Sequence, residues 1–244
     1  LVQKHVPEAS HRDLINALLL GQDNCFAVGL TTVHDAGLDY ETIDLIDSLQ
    51  KAGDLKMRIY AMLNPGQENY ENYLFKGIYK TDALNVRSIK LYADGALGSR
   101  GALLLEPYSD DPCNIGLAVE TDEFMRQQCR LAMENGYQVN THCIGDSANR
   151  WMLDLYTEFL NGKNDKRWRI EHSQIIHPDD ISKFGESSVI PSIQSTHGTS
   201  DMNWADERVG PVRIKGAYAF QALLGQNGWI PNGSDFPVEH INPL

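Results

Sequence analysis

The feature that most limits how this chain can fold is a repeated switch of hydrophobic period, from short apolar or β-branched runs to stretches with one apolar helical face. Residues 29–35, closed by Ala36 and Gly37, read as a buried parallel strand. Residues 40–52 follow with Ile43, Ile46 and Leu49 on one helical face, and residues 58–63 form the next strand. The alternation continues through strands at 88–93, 138–143, 167–173, 189–194 and 229–233. Between them lie a helix capped by Thr121 and helices over 148–160, 178–184 and 214–224. A first helix, opened by Ser10 and Asp13, carries Leu14, Leu18 and Cys25 along one stripe. Alternating β and α units build a parallel sheet with right-handed crossovers. Seven such strands predict an α/β fold closing as a TIM-like (β/α)₈ barrel, with the first barrel strand expected upstream of Leu1.

The 244 residues, 42% hydrophobic and 22% charged, suit one core, so residues 1–244 are read as a single partial barrel domain. A formal net charge of −12 without a Lys/Arg-rich run offers no footprint for nucleic acid. The longest apolar stretches, such as Leu18 to Leu20, fall far short of the roughly 20 residues that cross a bilayer, so no membrane partner is expected. Cys25, Cys113, Cys129 and Cys143 form no CxxC pair, which points to reduced thiols and a cytoplasmic setting. The chain opens Leu1-Val2-Gln3-Lys4, with neither initiator Met nor signal sequence, and an upstream segment is expected to be missing.

In a barrel of this kind the reactive side chains stand at the C-terminal ends of the strands. Four runs end suggestively: Lys90, His142 in Val139-Asn140-Thr141-His142, His172 in Arg169-Ile170-Glu171-His172, and Asp235 in Gly233-Ser234-Asp235-Phe236-Pro237. A single strand-end histidine is more often a hydrogen-bonded structural residue. Imidazoles and a carboxylate converging on one mouth are instead the donor set of zinc and similar divalent ions.

Four segments carry a family resemblance: residues 90–100, residues 141–146, Glu171-His172-Ser173 and residues 233–238. In order and spacing, over nearly the whole chain, they closely resemble the YtcJ-like branch of the amidohydrolase superfamily. The resemblance implies a metal-dependent hydrolase acting on a non-peptide, amide-type C–N bond of a small-molecule substrate. It implies one or two divalent ions, zinc in character, with His142 and His172 as ligands on strands five and six. Asp235 on strand eight would bind metal and move protons, and Lys90 would hold the position that often carries a carboxylated, metal-bridging lysine. An ordinary Lys90–Asp94 pair is the alternative. The resemblance also sets His197, after strand seven, near the substrate. Its His-x-His on strand one is absent here, His5 and His11 being wrongly spaced, and so is its small β-rich domain. The chain is therefore expected to be a central fragment whose open sheet edges would favour homo-oligomers.

Other residues are weaker candidates. Arg100 could grip a substrate carboxylate or carbonyl, or simply sit in a solvated loop. Trp204, in the loop over 199–211, could wall the site; His34 and Asp35 could support the ligands; Asp146 reads as a helix cap. His177 and His240 carry no case. In a complete site, water of lowered pKa would attack a carbonyl while Asp235 takes its proton and His172 or His197 stabilises the oxyanion. Two readings stay open beside this one: a Schiff-base aldolase using Lys90, and a catalytically degenerate barrel with a binding role.

Overall fold

In-register parallel pairing organises the chain. The computed structural model describes residues 5–7 and 9–243, so the opening Leu1 to Lys4 lies outside the described residues. The elements are α1 (His11–Ala27), β1 (Thr32–Leu38), α2 (Tyr40–Ala52), β2 (Arg58–Leu63), α3 (Gln67–Asn72), β3 (Tyr79–Lys80) and β4 (Leu84–Tyr92). There follow α4 (Asp122–Asn135), β5 (Gln138–Cys143), α5 (Asp146–Leu160), β6 (Arg169–His172), α6 (Ile181–Glu186), β7 (Ile190–Ser192), α7 (His197–Ser200), α8 (Ala205–Arg213) and α9 (Phe220–Asn227). Local chemistry sets several boundaries. Ser10 and Asp13 form a reciprocal capping box at α1, and Thr121 accepts the Phe124 N–H at 3.2 Å to start α4. Left-handed Gly53 and Gly136 close α2 and α4.

The sheet runs β1-β2-β4-β5-β6-β7, every neighbouring pair parallel, with β3 paired antiparallel to β4. It curls into a half-barrel with helices outside. Because residues paired in register share a face, the strands separate into two sets of rows. One set is apolar and lies beneath the helices: Leu63, Ile89 and Val139 in one row, Leu91, Thr141, Ile170 and Pro191 in the next. The other set faces the barrel interior and is polar: Ser88 and Gln138, then Lys90, Asn140 and Arg169, then Tyr92, His142, Glu171 and Ser192. The main core lies between the apolar rows and the helices, where Trp168, Tyr156, Phe184, Ile43 and Met152 are fully buried.

Two expectations fail locally. Residues 229–233 do not form a strand; they make one parallel bridge, Ile193 with Asn232, held by Ile193 N–H to Pro231 O and Gly233 N–H to Ile193 O. Pro231 has no N–H to extend a ladder, and Trp229 is exposed rather than packed. The helix expected over 214–224 is split, because Tyr218 takes a positive φ and α9 starts only at Phe220. The two-residue β3 was not foreseen. The sheet thus has seven strands, but not the seven that the pattern named.

Two long connections, residues 94–117 and 197–218, fold over the C-terminal ends of β4 to β6 around a second apolar cluster of Leu97, Ala102, Leu104, Tyr108, Ile144, Ile175, Ala205 and Val209. Among the described residues no helix is long and apolar enough to cross a membrane.

The turn from β5 into α5 is pinned by Asn149, whose buried Nδ2 lies closest to the carbonyls of Gly145 at 2.9 Å and Ile175 at 3.1 Å, with those of Cys143 and Ile144 at the edge of reach. Replacing Asn149 with Ala removes this tie between the β5–α5 turn and Ile175, although Gly145 and Ile144 keep backbone donors, and is expected to lower stability by about 1–3 kcal/mol, read by urea unfolding. A change below about 0.5 kcal/mol would contradict the pinning role.

Candidate metal centre

The three polar rows end at the mouth of the half-barrel, where a cavity of about 1000 Å³ is lined by Lys90, His142, His172, His197 and Asp235. His172 closes β6 with a left-handed backbone, φ 75°, which turns its ring from the strand's alternation into the mouth. Its Nδ1 lies 2.7 Å from Gln194 Oε1, so Nδ1 carries the hydrogen and Nε2 keeps its lone pair. Burial first, then the positive charge of Lys90, pushes His172 down to about 3. His142, edge-on to His172 with ring centroids 4.5 Å apart, is also driven far below its ordinary range, by burial, then His172 and Lys90. Both rings are neutral at neutral pH, the state a metal ligand needs.

His197 opens α7 and stacks on His172 at 6.0 Å between centroids, 12° from parallel. Its Nε2 is 3.8 Å from the carboxylate of Asp235, which sits in a left-handed turn at φ 54°. Burial raises the Asp235 carboxyl, against the opposing pull of His197 and Lys90. One potential ligand atom from each of His172, His197 and Asp235 lies within 4.8 Å of the other two. The buried Nε2 atoms of His142 and His197 have no hydrogen-bond partner. At His197 an orphaned imidazole nitrogen beside the Asp235 carboxylate is costly as it stands, and with His172 these groups fit a divalent ion in both donor type and spacing.

Lys90 is buried in the row below, its Nζ 4.0 Å from the Tyr92 ring centroid and 3.3 Å from the Leu91 carbonyl. Burial lowers it to about 8, with Glu171 the largest opposing influence. Asp94 is not its partner: that carboxylate accepts backbone N–H groups from Leu103, Ile144 and Gly145. Arg100 is drawn away from the cavity wall by Asp110, which takes its Nε at 3.1 Å and Nη2 at 2.8 Å. Asp110 also binds Arg208, so this acid joins the two long connections. Trp204 does line the cavity and lies against Gly98.

His34 meets the Arg169 guanidinium at 2.9 Å, and Asp35 lines the same cavity. Asp146 is not the cap of α5, a place held by Gly145; it accepts the N–H groups of Leu105 and Ser147. Sequence reasoning missed Gln194, although it closes the apolar run 189–193, and missed the buried Arg169–Glu171 pair at 2.9 Å. The two members of that pair alternate with Ile170 along β6, a spacing that sets both on the inner face.

Residues 2–244 match the amidohydrolase family along nearly the whole chain. The chain is 32% identical over 259 aligned residues to Protein LONG AFTER FAR-RED 3 of Arabidopsis thaliana and 31% identical over 253 to the putative amidohydrolase YtcJ of Bacillus subtilis. Each alignment takes in 100% of this chain, but 44% and 46% of those proteins, so the chain spans less than half the length of these curated relatives. Its fold superposes on an uncharacterized metal-dependent hydrolase from Pyrococcus furiosus with a TM-score of 0.84 and 28% identity, over 98% of this chain and 50% of that one.

The depressed histidines make stability depend on pH. Folded His172 titrates near 3, and an unfolded histidine near 6.5, so between those values the unfolded chain binds more protons. The stabilising difference is present in full above pH 6.5 and is lost as pH falls toward 3. For metal-free protein, urea unfolding is expected to show stability falling below pH 6.5 by up to about 1.4 kcal/mol per pH unit for each of His142 and His172. Stability that stays flat from pH 7 to 5 would contradict the neutral pair.

Proposed function

This chain belongs to the amidohydrolase family, and from that membership we propose that it carries the catalytic centre of a metal-dependent hydrolase cleaving a non-peptide, amide-type C–N bond. The observation that carries the reading is the convergence of His172, His197 and Asp235, with His142 beside them, at the mouth of the half-barrel in positions that could hold one ion. These four would be the ligands, and zinc is the ion that a mixed imidazole and carboxylate set favours. When bound, such an ion supplies Lewis acidity and lowers the pKa of water from 15.7 toward roughly 7.

The chain's own residues do the remaining work. Asp235, its carboxyl raised by burial, would accept a proton at a carboxylate oxygen and return it to the leaving nitrogen. The stacked imidazoles of His172 and His197 would be held in place for the ion, His172 by Gln194 on its Nδ1. Trp204, Leu97 and Ile144 form apolar wall around the opening and exclude water. Lys90, lowered to about 8, holds part of its population as free amine near neutral pH. A free amine adds to carbon dioxide and releases a proton, giving a carboxylated lysine and turning a cation that would repel metal into an anion that would join those four as a fifth ligand. The cavity of about 1000 Å³ and the net charge of −12 suit a small N-acyl or cyclic amide, not a polyanion.

Elemental analysis of the intact protein tests this reading. One or two zinc-like ions per chain are expected, removed in His172→Ala, with hydrolysis of N-acyl substrates abolished by chelation and restored by zinc. Protein without bound metal, or hydrolysis indifferent to chelator, would overturn it.

A further inference from the structure

The cluster at the mouth leaves one buried carboxylate without a chemical role. Asp94 lies two residues beyond β4 and is only 2% exposed. Its Oδ1 accepts the Ile144 N–H at 3.0 Å, and its Oδ2 accepts the N–H groups of Gly145 at 2.8 Å and Leu103 at 2.9 Å. A carboxylate offers about four lone-pair sites, and these three donors leave one. Beside that remaining site stands Nε2 of His142, 3.4 Å from Oδ1, close enough to meet it after a small turn of the ring though not hydrogen-bonded to it as it stands, with the Gly95 backbone also acting on the ring.

We propose that Asp94 is the positioning residue of His142: its carboxylate holds the ring by Nε2–H, so that Nδ1 is the nitrogen presented to a divalent cation. The inference rests on the reading of His142 as a ligand. A metal-binding imidazole commonly gives its second N–H to a carboxylate or carbonyl, which fixes the tautomer and raises the basicity of the donor nitrogen. Gln194 already plays that part for His172 through Nδ1. The two rings are thereby held by opposite nitrogens, and this lets two strand-end histidines on adjacent strands meet edge to face.

The same carboxylate fixes the surroundings of the ring. Ile144 and Gly145 form the turn directly after Cys143, and Leu103 lies in the middle of the 94–117 connection. The connection comes so close that a Cβ on Gly145 would stand 2.0 Å from the Leu103 carbonyl oxygen, while that oxygen accepts the Ser147 N–H at 3.1 Å. Asp94 therefore sets the rotamer of a candidate ligand and the seat of the cavity wall that carries Leu97 and Gly98. Asparagine keeps the size but has only one acceptor oxygen, so at least one N–H would face an amide NH₂.

The test combines a tautomer measurement with a double-mutant cycle on zinc binding. In the intact, metal-free protein with ¹⁵N-labelled histidine, assigned with His142→Gln, the His142 ring is expected to carry its hydrogen on Nε2. Asp94→Asn is expected to weaken zinc binding about 10- to 100-fold, read by competition with a chelating dye, and to have no further effect in a His142→Ala background. Hydrogen on Nδ1 of His142, or an equal loss of affinity with and without His142, would overturn the assignment. Should Asp94→Asn fail to fold, the tautomer of the unaltered protein decides alone. Intact protein that binds no zinc would sink the hydrolase reading, while the tautomer still judges the Asp94–His142 pair.

Discussion

Register among β4, β5 and β6 is the constraint on which the mouth of this half-barrel depends. Parallel pairing sets Lys90 beside Asn140 and Arg169, and Tyr92 beside His142 and Glu171. A slip of one residue in any strand would exchange these rows for Leu91, Thr141 and Ile170, putting apolar groups into the cavity and charged groups beneath the helices. The apolar side resists such a slip. Trp168 fills it with its Nε1–H on the Tyr137 carbonyl, and the Tyr156 hydroxyl bridges Thr141 and the Arg169 carbonyl across two strands. The packed outer face thus holds a polar inner face that would gain little by assembling alone.

That inner face is kept at a thermodynamic cost. Arg169 and Glu171 form a buried pair, and a buried ion pair seldom repays its desolvation. Ser88 Oγ and the side-chain amide of Asn140 are buried without well-formed hydrogen bonds, facing the Tyr60 hydroxyl. His172 and Asp235 both adopt positive φ, uncommon outside glycine. Such features gather where side chains are aimed for chemistry and not for packing, and here Arg169, Glu171, His172 and Asp235 line one cavity. The two long connections offset part of this by burying their own apolar cluster over the mouth, with Asp110 joining Arg100 to Arg208 at its edge.

Much of this was legible in the sequence, for identifiable reasons. Runs such as 58–63 and 138–143 form strands where they were expected, the first through its apolar residues and the second through the alternation of Val139 and Thr141 with polar neighbours. His142, His172 and Asp235 stood out because each closes such a run. What could not be read depends on distant partners. The run 229–233 has strand-like composition, but Pro231 and a single bridge to Ile193 leave it irregular. Arg100 is taken by Asp110, ten residues onward in a connection without periodicity, and Asp94 looked like a partner for Lys90 until the fold brought Ile144 and Leu103 to it. His197, expected near the substrate, falls among the potential ligands.

The central claim is that His172, His197 and Asp235 enclose an ion. It is tested most directly by anomalous diffraction at the zinc edge from crystals of the intact protein grown with zinc. A peak is expected at about 2.0–2.2 Å from His172 Nε2 and from a carboxylate oxygen of Asp235. Density with zinc present but no anomalous peak in that cluster, or a peak confined to surface carboxylates, would contradict it.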